Sequence, residues 1–97
     1  MQIGSAGTME SYYIELAKML RALRKWHGYY QETVAQMLEI GRSTYSDFER
    51  AKVRPQIVDL LRFAEIYQIP PEVFLYPTNY QSLEAVRNLM RNHAENK

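Results

Sequence analysis

Residues 31–50 read QETVAQMLEIGRSTYSDFER. Two short apolar-periodic segments flank a four-residue break, Glu39-Ile40-Gly41-Arg42, that contains no proline. Val34, Ala35 and Leu38 line one face of the first segment, and Tyr45 and Phe48 line one face of the second, at helical spacing. Ala35 is small enough for two steeply crossing helices to touch there, and Ile40 is the one apolar residue of the turn. The stretch therefore predicts two short helices joined by a tight turn and packed through one face each.

Outward from this unit, the rest of the chain also reads as helix. Tyr13, Leu16, Leu20 and Leu23, with Ala17 and Met19 beside them, predict a first helix from about Glu10 to His27. Gly28 ends it, because glycine tolerates the positive φ that commonly follows a last turn. The second and third helices fall at 31–38 and 42–50. A basic loop, Ala51 to Arg54, leads to Pro55, and Ile57, Leu60, Leu61, Ala64 and Ile66 mark a fourth helix at 56–67. Pro71 can occupy a first helical position, so Pro71 to Leu75 reads as a short fifth helix that Pro77 closes. Thr78 and Gln81 have the spacing of a capping box. They predict a last, amphipathic segment running to about residue 93, with Leu83, Val86 and Met90 on one stripe and Leu89 beside it. No strand pattern, repeat or low-complexity run is visible. The expectation is all-α, with a flexible arm at 1–9, a domain at 10–77 and an added C-terminal helix at 78–97.

The 97 residues suit one modest core. A hydrophobic content of 46% with 24% charged residues is that of a globular chain. The absence of cysteine rules out disulfides, thiolate metal sites and a cysteine nucleophile. His27 and His93 lie far apart without further ligands at metal spacing, so neither a metal nor a cofactor is expected. No nucleophile, base and orienter are grouped, which argues against an enzyme. With no secretion signal and no long apolar run, a cytoplasmic protein is expected. Net charge is only +1, but residues 18–54 carry eight bases against four acids, while both flanks are net acidic. That distribution suits a chain presenting one basic face to phosphates.

The order of these features resembles the Cro/CI-type, XRE-like helix-turn-helix family of phage and bacterial repressors, over roughly residues 14–75. Leu20-Arg21-Ala22-Leu23-Arg24, Gly28 and Gln31-Glu32 resemble the family's first helix and the start of its second. Arg42-Ser43-Thr44, Ser46, Phe48, Glu49-Arg50, Lys52 and Pro55 resemble its recognition helix and following loop. Leu60-Leu61, Ala64, Ile69, Glu72 and Phe74 continue the match. The resemblance implies a five-helix lambda-repressor-like domain that regulates transcription, docks its third helix in a major groove and acts as a homodimer on a palindromic operator. It also implies a largely buried ion pair between Arg24 and Glu49.

On a helix beginning at Arg42, the residues Arg42, Ser43, Ser46 and Asp47 fall opposite Tyr45 and Phe48 and so are expected to meet bases. Gln31, Tyr30, Thr44, Lys52 and Arg54 are the expected phosphate contacts, which position without reading sequence. The stripe of Leu83, Val86, Leu89 and Met90 needs a surface to cover, either its own domain or a second copy, and the dimer contact is the favoured expectation. Three residues depart from the family pattern. Glu39 stands where the turn usually has glycine, Tyr30 replaces the small hydroxyl residue that caps the second helix, and Asp47 places a carboxylate on the groove face. Glu39, Asp47 and the low net charge favour a second reading: a protein-interaction module of the same fold, an antitoxin-like or anti-repressor partner with weak DNA binding.

Overall fold

The computed structural model describes residues 9–95. Its five α-helices are α1 (Met9–Trp26), α2 (Gln31–Leu38), α3 (Arg42–Glu49), α4 (Ile57–Tyr67) and α5 (Leu83–Glu95). Two 3-10 turns, Pro71–Leu75 and Pro77–Tyr80, connect α4 to α5, and no strand occurs among the described residues. The arm expected at 1–9 lies, except for Met9, outside them. No described helix is long and apolar enough to cross a membrane.

α1 is the spine. Leu16, Ala17, Met19, Leu20, Ala22 and Leu23 are all buried, at the three- and four-residue steps that keep side chains on one side of a helix. α2 contributes Val34, Ala35 and Leu38 to the same core, and α3 contributes Tyr45 and Phe48. Phe63 of α4 sits at the centre, with the rings of Tyr45, Phe48, Tyr67 and Phe74 at centroid distances of 6.1, 6.3, 6.3 and 6.4 Å. These are ordinary separations for packed aromatic rings, so one side chain joins α3, α4 and the first 3-10 turn.

The first four helices end in the same way. A left-handed residue follows each one, and two backbone N–H groups turn back onto the last carbonyls. Gly28 and Tyr29 donate to Lys25 and Arg24; Glu39 and Ile40 donate to Gln36 and Ala35. Ala51 and Lys52 donate to Phe48 and Asp47; Gln68 and Ile69 donate to Glu65 and Ala64. Only the first of these ends uses glycine: Glu39, Ala51 and Gln68 adopt φ of 59°, 58° and 55°. The turn between α2 and α3 is thus conventional in geometry although Glu39 occupies its glycine position. Gly41, two residues later, has an ordinary φ of −71° as the N-cap of α3.

After α4, Pro71–Leu75 forms the short helix expected there, of 3-10 type, and it ends where Tyr76, ahead of Pro77, turns away to φ −129° and ψ 59°. The next segment departs from the sequence reading. Thr78 and Gln81 do not cap a helix. Thr78 lies within the second 3-10 turn, and the Ala85 N–H donates to Ser82 Oγ at 3.0 Å, so Ser82 caps α5. The Gln81 amide instead donates to the Glu15 carboxylate at 2.6 Å and to the Glu15 carbonyl at 3.1 Å, fastening the start of α5 to α1. The apolar stripe of α5 packs on its own domain, one of the two surfaces its pattern allows. Val86 is 0% exposed in the chain's own core, and Leu89 and Met90 are half-buried against that core. α1 supplies the surface this helix covers, leaving Leu83 as the exposed member of the expected dimer set.

One carboxylate ties the first three helices together. Arg24 Nε and Nη2 donate to Glu49 Oε2 and Oε1 at 2.6 and 3.1 Å, a bidentate pair with only 13% and 4% of the two side chains exposed. Gln31 Nε2 adds a third donor at 3.1 Å, and the Tyr45 hydroxyl donates to Oε2. Arg24 Nη1 also donates to the Tyr29 carbonyl at 3.0 Å, which anchors the α1–α2 connection. Burial alone would raise the Glu49 carboxyl, but the bonds from Arg24, Tyr45 and Gln31 outweigh it and hold its pKa below the ordinary 4.5.

Glu39→Gly relieves a left-handed residue worth about 1–2 kcal/mol and adds about 0.5–1 kcal/mol of unfolded-chain entropy, so stability should rise by roughly 0.5–1 kcal/mol in urea denaturation. Removing Arg24 or Glu49 alone strands a buried charge and should cost about 3–5 kcal/mol, whereas the pair Arg24→Met with Glu49→Leu should cost less than the two singles combined. The depressed Glu49 pKa gives a sign as well. Its contribution is complete above pH 4.5 and is lost as pH falls through the lower folded value, so Glu49→Gln should flatten the acid limb of a melting-temperature profile.

Candidate nucleic-acid interface

α3 is amphipathic in the sense its sequence requires. Tyr45 and Phe48 are buried, while Arg42, Ser43 and Thr44 are exposed and Ser46 and Asp47 half-buried. Arg42, Ser43, Ser46 and Asp47, the four residues expected to face a groove, line a single shallow concavity of about 310 Å³. Arg50 completes its lining. The sequence reading assigned Arg50 no contact. Its position one turn beyond Asp47, on the same face, was the available signal.

Arg50 also changes the standing of Asp47. Its guanidinium lies 3.8 Å from the Asp47 carboxylate, so the acid on this face has a cation beside it. Both groups are substantially exposed, which makes the pair worth at most about 1 kcal/mol and easily exchanged for other partners. Arg42 makes no ion pair among the described residues, and its guanidinium remains available to a planar acceptor.

The expected phosphate-binding residues separate into distinct environments. Lys52 is exposed just beyond α3, in a loop held by the Lys52 and Val53 N–H groups donating to the Asp47 carbonyl. Thr44 is exposed on the first turn of α3. Tyr30 is 80% exposed at the N-cap of α2 and makes no side-chain cap, leaving the first backbone N–H groups of that helix open. Gln31 is half-buried with its amide on Glu49, so it belongs first to the brace, with a second amide proton still to donate. Arg54 lies elsewhere. Its guanidinium carbon stands 5.1 Å from the centroid of the Tyr13 ring, and Tyr13 precedes Arg24 by eleven residues, about 16 Å along α1. Arg54 therefore clamps the loop to α1.

The interface that results is a short helix with a polar outer face, braced from behind by a buried carboxylate and flanked by Lys52 and the uncapped start of α2. A helix-turn-helix domain family model matches residues 15–74, which takes in α1 from Glu15 onward, all of α2 to α4 and most of the first 3-10 turn. No curated protein and no solved structure gives a significant match. That matched family is one of DNA-binding domains, and the α2-turn-α3 unit found here has its architecture. With more than half its length matched and this geometry in place, the chain belongs to the helix-turn-helix domain family of the XRE/Cro-like kind.

Proposed function

We propose that this chain is a sequence-specific transcriptional repressor that docks α3 in the DNA major groove. The observation that carries the reading is the concavity in which Arg42, Ser43, Ser46, Asp47 and Arg50 converge on the outer face of a braced helix. A guanidinium can donate two hydrogen bonds to guanine O6 and N7, worth about 1–3 kcal/mol of discrimination, and Arg42 is the exposed arginine at the start of α3. Ser43 and Ser46 are short donors or acceptors. Asp47 accepts from a cytosine amino group, with Arg50 shielding it from the phosphates.

Affinity on this reading comes from phosphates. Lys52 and Thr44 meet one strand beside α3, and Tyr30, Gln31 and the open N–H groups of α2 meet a phosphate at that helix's positive end. Arg54 reaches the backbone only by leaving Tyr13. The protein works as a homodimer on a palindrome, with half-sites about 34–36 Å apart. With Val86 buried in its own domain, the second copy meets exposed apolar side chains, Leu83 on α5 and Ile57, Val58 and Leu61 on α4. The reading includes no enzymatic activity and no cofactor. An antitoxin-like or anti-repressor role is the alternative, favoured by the acid on the α3 face and weakened by its pairing with Arg50.

A selection from genomic DNA fragments, followed by titration at several salt concentrations, tests this directly. A repressor should lose affinity linearly in log salt, by about 0.9 log units per log unit of salt for each phosphate neutralised. Arg42→Ala should relax base choice at one position per half-site, while Lys52→Ala should weaken all sequences alike and reduce the salt slope by about one. Absence of any selected sequence would transfer the protein to the interaction-module reading. Sedimentation of Ile57→Glu and Leu61→Glu variants, set beside Leu83→Glu, should show which surface holds the dimer.

A further inference from the structure

Where α5 folds back across the ends of α1 and α4 it encloses one side of an open cleft of about 720 Å³ to which α3 contributes nothing. This size lies within the range of about 300–1,000 Å³ typical of small-molecule sites. One wall is aromatic. The His27 ring stacks on Tyr67 at 4.8 Å and on Tyr29 at 5.3 Å, and Trp26 meets its edge at 4.9 Å. The opposite side, from α5, carries Arg87 and Arg91, four residues apart and both exposed. No aspartate or glutamate lines the cleft, and neither arginine pairs with a described carboxylate. His27 Nε2 and the Tyr67 hydroxyl, on two of the lining residues, are shielded from solvent without a hydrogen-bond partner.

We propose that this cleft binds a small aromatic carboxylate, with its ring against the His27, Tyr29 and Tyr67 wall and its carboxylate on Arg87 and Arg91. A flat apolar wall selects a ring, because stacked and edge-on contacts gain over an aliphatic chain of equal size. Two guanidinium forks, with no carboxylate among the residues lining this cleft, select an anion, and a planar carboxylate matches their geometry. Burial pushes the His27 imidazole below its ordinary pKa, so near neutral pH its ring is an uncharged surface for stacking. The position suits an effector. Tyr29, part of the wall, accepts a hydrogen bond from Arg24 through its carbonyl, and Arg24 holds Glu49 at the end of α3. That coupling rests on the DNA-docking reading of α3, whereas the site itself is independent of it.

Trp26 is the chain's only tryptophan, so its fluorescence and its indole N–H resonance report on the cleft in the full-length protein without DNA. Titration with benzoate, phenylacetate and 4-hydroxybenzoate should give saturable shifts at Trp26, Tyr29 and the α5 amides for at least one acid. Benzamide and acetate, lacking the charge or the ring, should bind at least about tenfold more weakly. Arg87→Gln combined with Arg91→Gln, both at exposed positions, should leave the melting temperature in place and weaken the acid by about tenfold or more. No saturation by any of the three acids, equal binding of benzamide, or unchanged affinity in the double variant would each overturn the proposal. A protein that binds the acid but no DNA would retain the site and lose only its link to α3.

Discussion

The carboxylate of Glu49 is the point at which α1, α2 and α3 become one rigid unit. Its donors come from all three helices: Arg24 from α1, Gln31 from α2 and Tyr45 from α3 itself. Apolar packing around Ala35, Phe48 and Phe63 supplies most of the driving force but has little directionality, since burial rewards any close contact. Charge-assisted hydrogen bonds have strict distances and angles, and in a poorly solvated setting an unmade one is costly. The orientation of α3 is therefore set more sharply by Glu49 than by the rings packed beneath it. The outer face of the helix inherits that orientation. A side chain such as Arg42 can read a base edge only if the helix axis beneath it is held in place.

The helix ends show the same division between local preference and global demand. Glu39, Ala51 and Gln68 each adopt a left-handed conformation that glycine would occupy with less strain. Each is followed by a residue whose N–H closes the reverse turn, and two of those followers, Ile40 and Ile69, pack into or against the core. Burying an isoleucine contributes about 1.5–3 kcal/mol, enough to offset the strain at the preceding residue. The turn between α2 and α3 is thus imposed by Ile40 and the core it meets, despite Glu39.

α5 adds something that a bare helix-turn-helix domain lacks. By covering α1 with Val86, Leu89 and Met90 it closes the main core, and by doing so it places Arg87 and Arg91 opposite the aromatic wall at the other end of α1. The wall touches the brace through the Tyr29 carbonyl, so the cleft and α3 are linked by a chain of two hydrogen-bonded residues, Arg24 and Glu49. The structure joins the braced α3 and a ligand-sized cleft within one core.

Periodicity alone was sufficient for the helices of the first two thirds of the chain, because each of them buries a stripe that recurs at helical spacing. The buried face of α3 follows from Tyr45 and Phe48, and its polar face from the residues between them. The Arg24–Glu49 pair was legible only through family resemblance, since nothing in a sequence reports that residues 25 apart will meet. Its additional partners were not legible at all. Gln31 reads as a phosphate contact and Tyr45 as part of an apolar face, yet both donate to Glu49, because only the folded chain shows which buried charge needs satisfying. The sequence likewise marked α5 as amphipathic but could not name the surface it covers. A stripe of Val86, Leu89 and Met90 serves a second copy or its own α1 equally well by pattern. The tertiary structure selects between them: the two 3-10 turns and the Gln81–Glu15 contact lay α5 on α1. Local propensity determined the elements; long-range contacts determined which faces remain free to act.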